Sequence, residues 1–84
     1  MFRVELSSRA FKALKKLEPR IRHRILKKLE VLKGEPLPRG VVKLRGEKDV
    51  YRLRIGDYRV LYKVFWEEKV VLVFKIDHRR TVYK

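Results

Sequence analysis

The sequence predicts an α+β domain of order β-α-α-β-β-β, with a helical hairpin packed on one face of a largely antiparallel sheet. Three observations predict it. Apolar residues recur at helical spacing between Ser8 and Gly34 and at strand spacing after Gly40. Prolines and glycines fall between these stretches and punctuate them. The 84 residues leave space for one domain, spanning 1–84, with a small core.

Each element has its own signal. Phe2 to Leu6 alternates apolar and polar residues and reads as a first strand. Ser7 or Ser8 suits the cap of the next helix, because a serine oxygen accepts from free N–H groups in the first turn. Phe11, Leu14 and Leu17 give that helix an apolar stripe. Pro19 ends it and suits the first turn of another. Ile21, Ile25, Leu29 and Leu32 form the stripe of the second helix, with Gly34 placed to cap its end. Glu35 to Gly40 is a loop set by two prolines and a glycine. Val41 to Leu44 reads as a short strand. Val50 to Ile55, Tyr58 to Phe65 and Lys69 to Ile76 read as longer ones, rich in β-branched and aromatic residues.

Turn length fixes which side chains share a face. Gly56-Asp57 reads as a two-residue hairpin turn, pairing Ile55 with Tyr58 and Arg54 with Arg59. Tyr51, Leu53, Ile55, Tyr58, Val60 and Tyr62 then face the core. Arg52, Arg54, Arg59 and Lys63 face the other way. A two-residue turn at Glu67-Glu68 would bury Lys75. A three-residue loop, Trp66 to Glu68, puts Val70, Leu72, Phe74 and Ile76 inside and Lys75 outside beside Arg59, so burial selects it. The expected result is a row of three cations, Arg54, Arg59 and Lys75, with Arg52 one step along. Directly opposed like charges cost up to about 1 kcal/mol per pair. A phosphate removes that cost, because a guanidinium fork matches its oxygens.

Charge points the same way. Twenty-four Lys and Arg against ten acids give a net charge of +14, which favours polyanionic partners, nucleic acid first. Residues 1–34 hold eleven of the cations and three of the acids, a net +8. That surface is either solvated or a second contact for a large RNA. Cysteine is absent, which excludes thiolate chemistry and disulfides, and two histidines are too few for a metal site. The longest apolar run, Val70 to Phe74, is far short of a membrane span. No signal-peptide pattern opens the chain, so a cytoplasmic protein with no cofactor and no membrane partner is expected.

There is no Ser-His-Asp spacing and no phosphate-cradling glycine loop. Any chemistry falls to Arg, Lys, Tyr and His acting on phosphate. RNA cleavage needs little more, since RNA carries its own nucleophile, the 2′-OH. His23, between Arg22 and Arg24, reads as surface. His78 has a ring suited to proton transfer, but neighbouring arginines disfavour its charged form. Surface and proton-transfer readings of His78 both stay open. Tyr83 lies beyond the last core strand, where it is either frayed or set to stack on a base or bond a phosphate.

Lys43 to Tyr62 (KLRGEKDVYRLRIGDYRVLY) resembles the RelE/ParE toxin superfamily. The KLRG element, the YRLRIGDYRV hairpin and the closing HRRTVY match its pattern in order and spacing. The chain is most similar to the short RelE-type toxins. The resemblance implies a toxin of a type II toxin–antitoxin system. It implies a metal-independent endoribonuclease that enters the ribosomal A site and cleaves mRNA through 2′-OH attack. A RelB-type antitoxin is the implied cognate partner, beside the ribosome and mRNA. Carried over by position, the basic catalytic pair falls on Arg52 and Arg54, the phosphate-binding arginine on Arg59, a further arginine on Arg79 and the tail tyrosine on Tyr83. Lys43, Arg45, Lys75, His78 and Arg80 are expected to contact RNA.

Two departures from the family pattern bear on mechanism. Well-known bacterial members have lysines where this chain has Arg52 and Arg54, and an arginine, always protonated, is a poor base. The segment from Arg79 to Tyr83 is also shorter. With Arg52, Arg54, Arg59 and Arg79 stabilising charge, Tyr83 or His78 is left to assist proton transfer. Two alternatives remain at this stage: a ParE-type inhibitor of DNA gyrase, and a non-enzymatic RNA- or ribosome-binding module.

Overall fold

The computed structural model describes residues 1–78. Arg79, Arg80 and Tyr83 lie outside the described residues. In chain order the elements are β1 (Arg3–Leu6), α1 (Ser8–Lys15), α2 (Pro19–Gly34), β2 (Val42–Lys43), β3 (Val50–Ile55), β4 (Tyr58–Phe65) and β5 (Val70–His78). The five strands make one sheet in the order β1-β5-β4-β3-β2. β1 is parallel to β5, and the other neighbours are antiparallel.

Local chemistry explains the helix ends. Ser7 caps α1, its Oγ accepting from the Ala10 N–H at 3.1 Å. The carbonyls of Lys15, the last residue of α1, and of Leu17, just beyond it, accept from the Arg22 guanidinium at 3.3 and 3.2 Å. Pro19 opens α2, where a missing N–H costs nothing. Gly34 does not cap α2 in a left-handed conformation. It is the last helical residue, Glu35 follows as the cap, and the Lys33 carbonyl instead accepts from Phe2 N–H at 2.8 Å.

The helices cover one side of the sheet. Ala10, Leu14, Ile25, Leu29 and Leu32 meet Tyr51, Leu53, Ile55, Val60, Tyr62, Val64, Val71, Val73 and Ile76 in one cluster. Each fully buried aliphatic side chain contributes roughly 1.5–3 kcal/mol. Phe11 departs from the expected stripe. It is 52% exposed, with the Lys15 ammonium 5.3 Å from its ring centroid, and Ala10 takes the inner position. Tyr62 is fully buried and donates to the Pro36 carbonyl at 2.7 Å, tying β4 to the loop after α2. Its burial, and then the neighbouring Tyr51, push its ionisation well above the ordinary tyrosine range.

The β3–β4 register is the expected one, from Ile55 opposite Tyr58 to Tyr51 opposite Tyr62. The β4–β5 register is not. The connection is four residues, Trp66 to Lys69, and Phe65 pairs with Val70 rather than Lys69. Val71 and Val73 therefore face the helices, while Val70, Leu72 and Phe74 are only half-buried. Phe74 is then passed over: Tyr62 pairs with Val73, but Leu61 pairs with Lys75. This bulge shifts the alternation by one residue. Ile76 turns inward as expected, and Lys75 and Asp77 turn outward. The unbroken apolar run from Val70 to Phe74 has no polar residue to reveal its phase, which is why burial arguments chose the wrong register.

Candidate functional site

The sheet face away from the helices is built from two cross-strand rows. One row holds Arg52, Leu61 and Lys75 on β3, β4 and β5. The next holds Arg54, Arg59 and Asp77. The tight Gly56-Asp57 turn, with Gly56 at φ +58°, fixes Arg54 opposite Arg59. The Phe74 bulge brings Lys75 and Asp77 to this face. Without it, a regular ladder in the Tyr62–Val73 register would turn both toward the helices.

Between these rows lies a cleft of about 210 Å³ lined by Leu44, Arg52, Arg59, Leu61, Lys75 and Asp77. Leu44 comes from the connection between β2 and β3 and, with Leu61, gives the cleft apolar walls. Its charged lining is three cations and one carboxylate, a net +2. Arg59 is only 9% exposed. A guanidinium withdrawn from bulk water acts on an anion through a lower effective dielectric than an exposed one. Lys75 Nζ lies 3.3 Å from an Asp77 carboxylate oxygen.

The expected row of three cations is thus corrected. Asp77 occupies the place opposite Arg59, and Lys75 sits one row along, ion-paired to it. The directly opposed cations that remain are Arg54 and Arg59. Arg54 is exposed on the same face and does not line the cleft. Lys43 stands opposite Tyr51, on the helix side of the edge strand, and borders an open depression with Arg45, Gly46 and Glu47. His78 stands opposite Tyr58, also on the helix side, with its ring edge-on to the phenol at 4.9 Å between centroids. The fold therefore gathers Arg52, Arg59 and Lys75, leaves Arg54 beside them, and sets Lys43, Arg45 and His78 apart.

Asp77 is the site residue that sequence reasoning missed. The signal was present: once Lys75 is outward, the residue two along the same strand is outward too.

The chain matches known proteins along nearly its whole length. The family model described as ParE toxin of type II toxin-antitoxin system, parDE, matches residues 4–83. The protein RelE1 of Methanocaldococcus jannaschii is 37% identical over 86 residues, covering 99% of this chain and 96% of that one. The mRNA interferase toxin RelE of Escherichia coli is 37% identical over 79 residues, covering 90% of this chain and 81% of that one. Among solved structures, the archaeal RelE–RelB complex from Pyrococcus horikoshii superposes with a TM-score of 0.84 at 40% identity, covering 93% of this chain and 94% of that one. A matching family model, relatives at this identity and a shared architecture of two helices on a five-stranded sheet place the chain in the RelE/ParE superfamily of type II toxin–antitoxin toxins.

Proposed function

We propose that this toxin is an endoribonuclease that cuts mRNA in the ribosomal A site. The observation that carries the reading is the convergence of Arg52, Arg59 and Lys75 on one cleft of the open sheet face. Those side chains match the charge of a phosphodiester, whose non-bridging oxygens gain negative charge as the 2′-OH attacks. Arg59 and Arg52 grip the phosphate oxygens, and Arg54 holds a neighbouring phosphate. The family resemblance assigns Arg79 and Tyr83 to catalysis and Arg80 to RNA contact, and Lys43 and Arg45 meet RNA along the β2 edge.

The reading is supported by the Escherichia coli relative, which bears the name mRNA interferase. A RelB-type antitoxin as silencing partner is supported by the Pyrococcus horikoshii complex of RelE with RelB. Action on translating ribosomes makes the cytoplasm its place of work. Among the described residues no helix is long and apolar enough to cross a membrane.

Primer extension on mRNA in a translating extract tests the proposal. Sharp cuts within A-site codons, absent when ribosomes are withheld, are expected. Intact RNA together with inhibited gyrase supercoiling would transfer the chain to ParE-type activity, which the family model's description keeps in view. Ribosome binding with neither effect would leave a non-enzymatic module.

A further inference from the structure

We infer that Asp77 is the group that takes the proton from the attacking 2′-OH. This rests on the endoribonuclease reading above. Arg52, Arg59 and Lys75 line the cleft as cations, and a guanidinium stays protonated, so it cannot accept. Asp77 is the one carboxylate among the described residues lining the cleft. His78, the nearest imidazole in sequence, is turned to the helix side against Tyr58.

A carboxylate in a phosphate cleft has a cost, because it repels the ligand that the arginines attract. That cost needs a compensating use, and proton acceptance supplies one. The fold also presents Asp77 deliberately. The Phe74 bulge turns it outward, the ladder sets it opposite Arg59, and the Lys75 ammonium at 3.3 Å orients its carboxylate. In this proposal the second carboxylate oxygen serves the ribose while the first is held by Lys75.

The step balances as follows. The 2′-oxygen forms a bond to phosphorus as its proton passes to an Asp77 oxygen. The bond from phosphorus to the 5′-oxygen breaks, and that oxygen takes a proton from water. The products are a 2′,3′-cyclic phosphate and a 5′-hydroxyl. Asp77 then returns its proton to solvent. Arg59 and Arg52 hold the charge that builds on the non-bridging oxygens. Lys75 acts as a positioning residue for Asp77.

Single-turnover cleavage on programmed ribosomes, with binding measured on the same samples, tests the assignment. Asp77→Asn keeps the shape and removes both the acceptor and the negative charge. Its cleavage rate is expected to fall about 100-fold or more, while ribosome affinity stays equal or tightens. Asp77→Glu is expected to recover part of the rate. The wild-type rate is expected to be flat from about pH 6 to pH 8, where an imidazole acceptor would make it climb. Asp77→Asn cleaving as fast as wild type would overturn the inference and leave the nuclease reading intact. A wild-type chain that cuts no RNA would overturn both. If Asp77→Asn fails to fold, a wild-type rate rising tenfold per pH unit through neutrality would overturn the inference by itself.

Discussion

Arg59 and Asp77 stand directly opposite each other on β4 and β5, in a register that exists because β5 carries one extra residue at Phe74. Opposite charges in such a position stabilise a sheet by a few tenths of a kcal/mol up to about 1 kcal/mol. The pair therefore serves the fold, and it also sets a guanidinium beside a carboxylate within one cleft. Neither residue is fully explained by stability. A threonine pair would satisfy the ladder equally well, without the cost of withdrawing a guanidinium from water.

The first prediction concerns Arg59 itself. Arg59→Ala removes a preorganised donor from the site of developing charge, and cleavage is expected to drop about 100- to 1,000-fold. Arg59→Lys keeps the charge but loses the two-pronged geometry, so it is expected to recover only a minor part. Quenched-flow cleavage on programmed ribosomes checks both, with thermal melts to confirm folding. Full activity of Arg59→Lys would show that charge alone matters there.

Arg52 and Arg54 separate by position. Arg52 lines the cleft and Arg54 lies exposed beyond it. Arg52→Ala is expected to lower the cleavage rate by about 100-fold. Arg54→Ala is expected to change that rate by less than about tenfold, yet to flatten the salt dependence of ribosome binding by roughly 0.7 in log–log slope. Titrations of affinity against salt, run beside cleavage assays, distinguish them. Equal losses of rate in the two variants would mean that both arginines touch the scissile phosphate.

The contrast between the two hairpins explains how far the sequence could be read. At Gly56-Asp57 the turn is short, its glycine is diagnostic and Arg52, Arg54, Arg59 and Lys63 mark the outward face, so every partner from Ile55–Tyr58 to Tyr51–Tyr62 was legible. At Trp66–Lys69 the turn lacks glycine, and Lys69 adopts the left-handed conformation at φ +56°, which a lysine does not advertise. The strand beyond is apolar at five successive positions, which hides both its phase and its bulge. The basic side of the sheet was therefore legible through Arg52, Arg54 and Arg59. Lys75 was assigned to the right face for an incorrect reason, and Asp77 escaped notice because the last strand was read as ending at Ile76, whereas it runs to His78.

Gly56 offers a test of the hairpin that aligns the site. It sits at φ +58°, and an added Cβ would lie 3.2 Å from the Arg24 guanidinium of α2. Gly56→Ala is expected to destabilise the fold by about 1–2 kcal/mol, mainly through the left-handed backbone, with a further effect from displacing Arg24. Urea denaturation measures this. Gly56→Asn, which tolerates that conformation better, is expected to cost less. A neutral Gly56→Ala would mean that the turn relaxes to another type, and Arg54 and Arg59 would then lose their alignment and activity with it.

Tyr62 gives the pH prediction. Its phenol is fully buried and bonded to the Pro36 carbonyl, and its ionisation is pushed far up by that burial and by Tyr51. The folded chain thus holds this proton more tightly than the unfolded one. Its contribution to stability is complete below the ordinary tyrosine value of about 10 and is lost as pH climbs above it toward the raised folded-state value. Tyr62→Phe removes the hydrogen bond and is expected to be less stable by roughly 0.5–1.5 kcal/mol at neutral pH. Phenylalanine cannot ionise, so the gap between wild type and variant is expected to narrow as pH rises from about 9 to 11. Urea midpoints for both proteins across that range provide the measurement. A gap that stays constant would mean that the buried phenol does not hold its proton preferentially in the folded state.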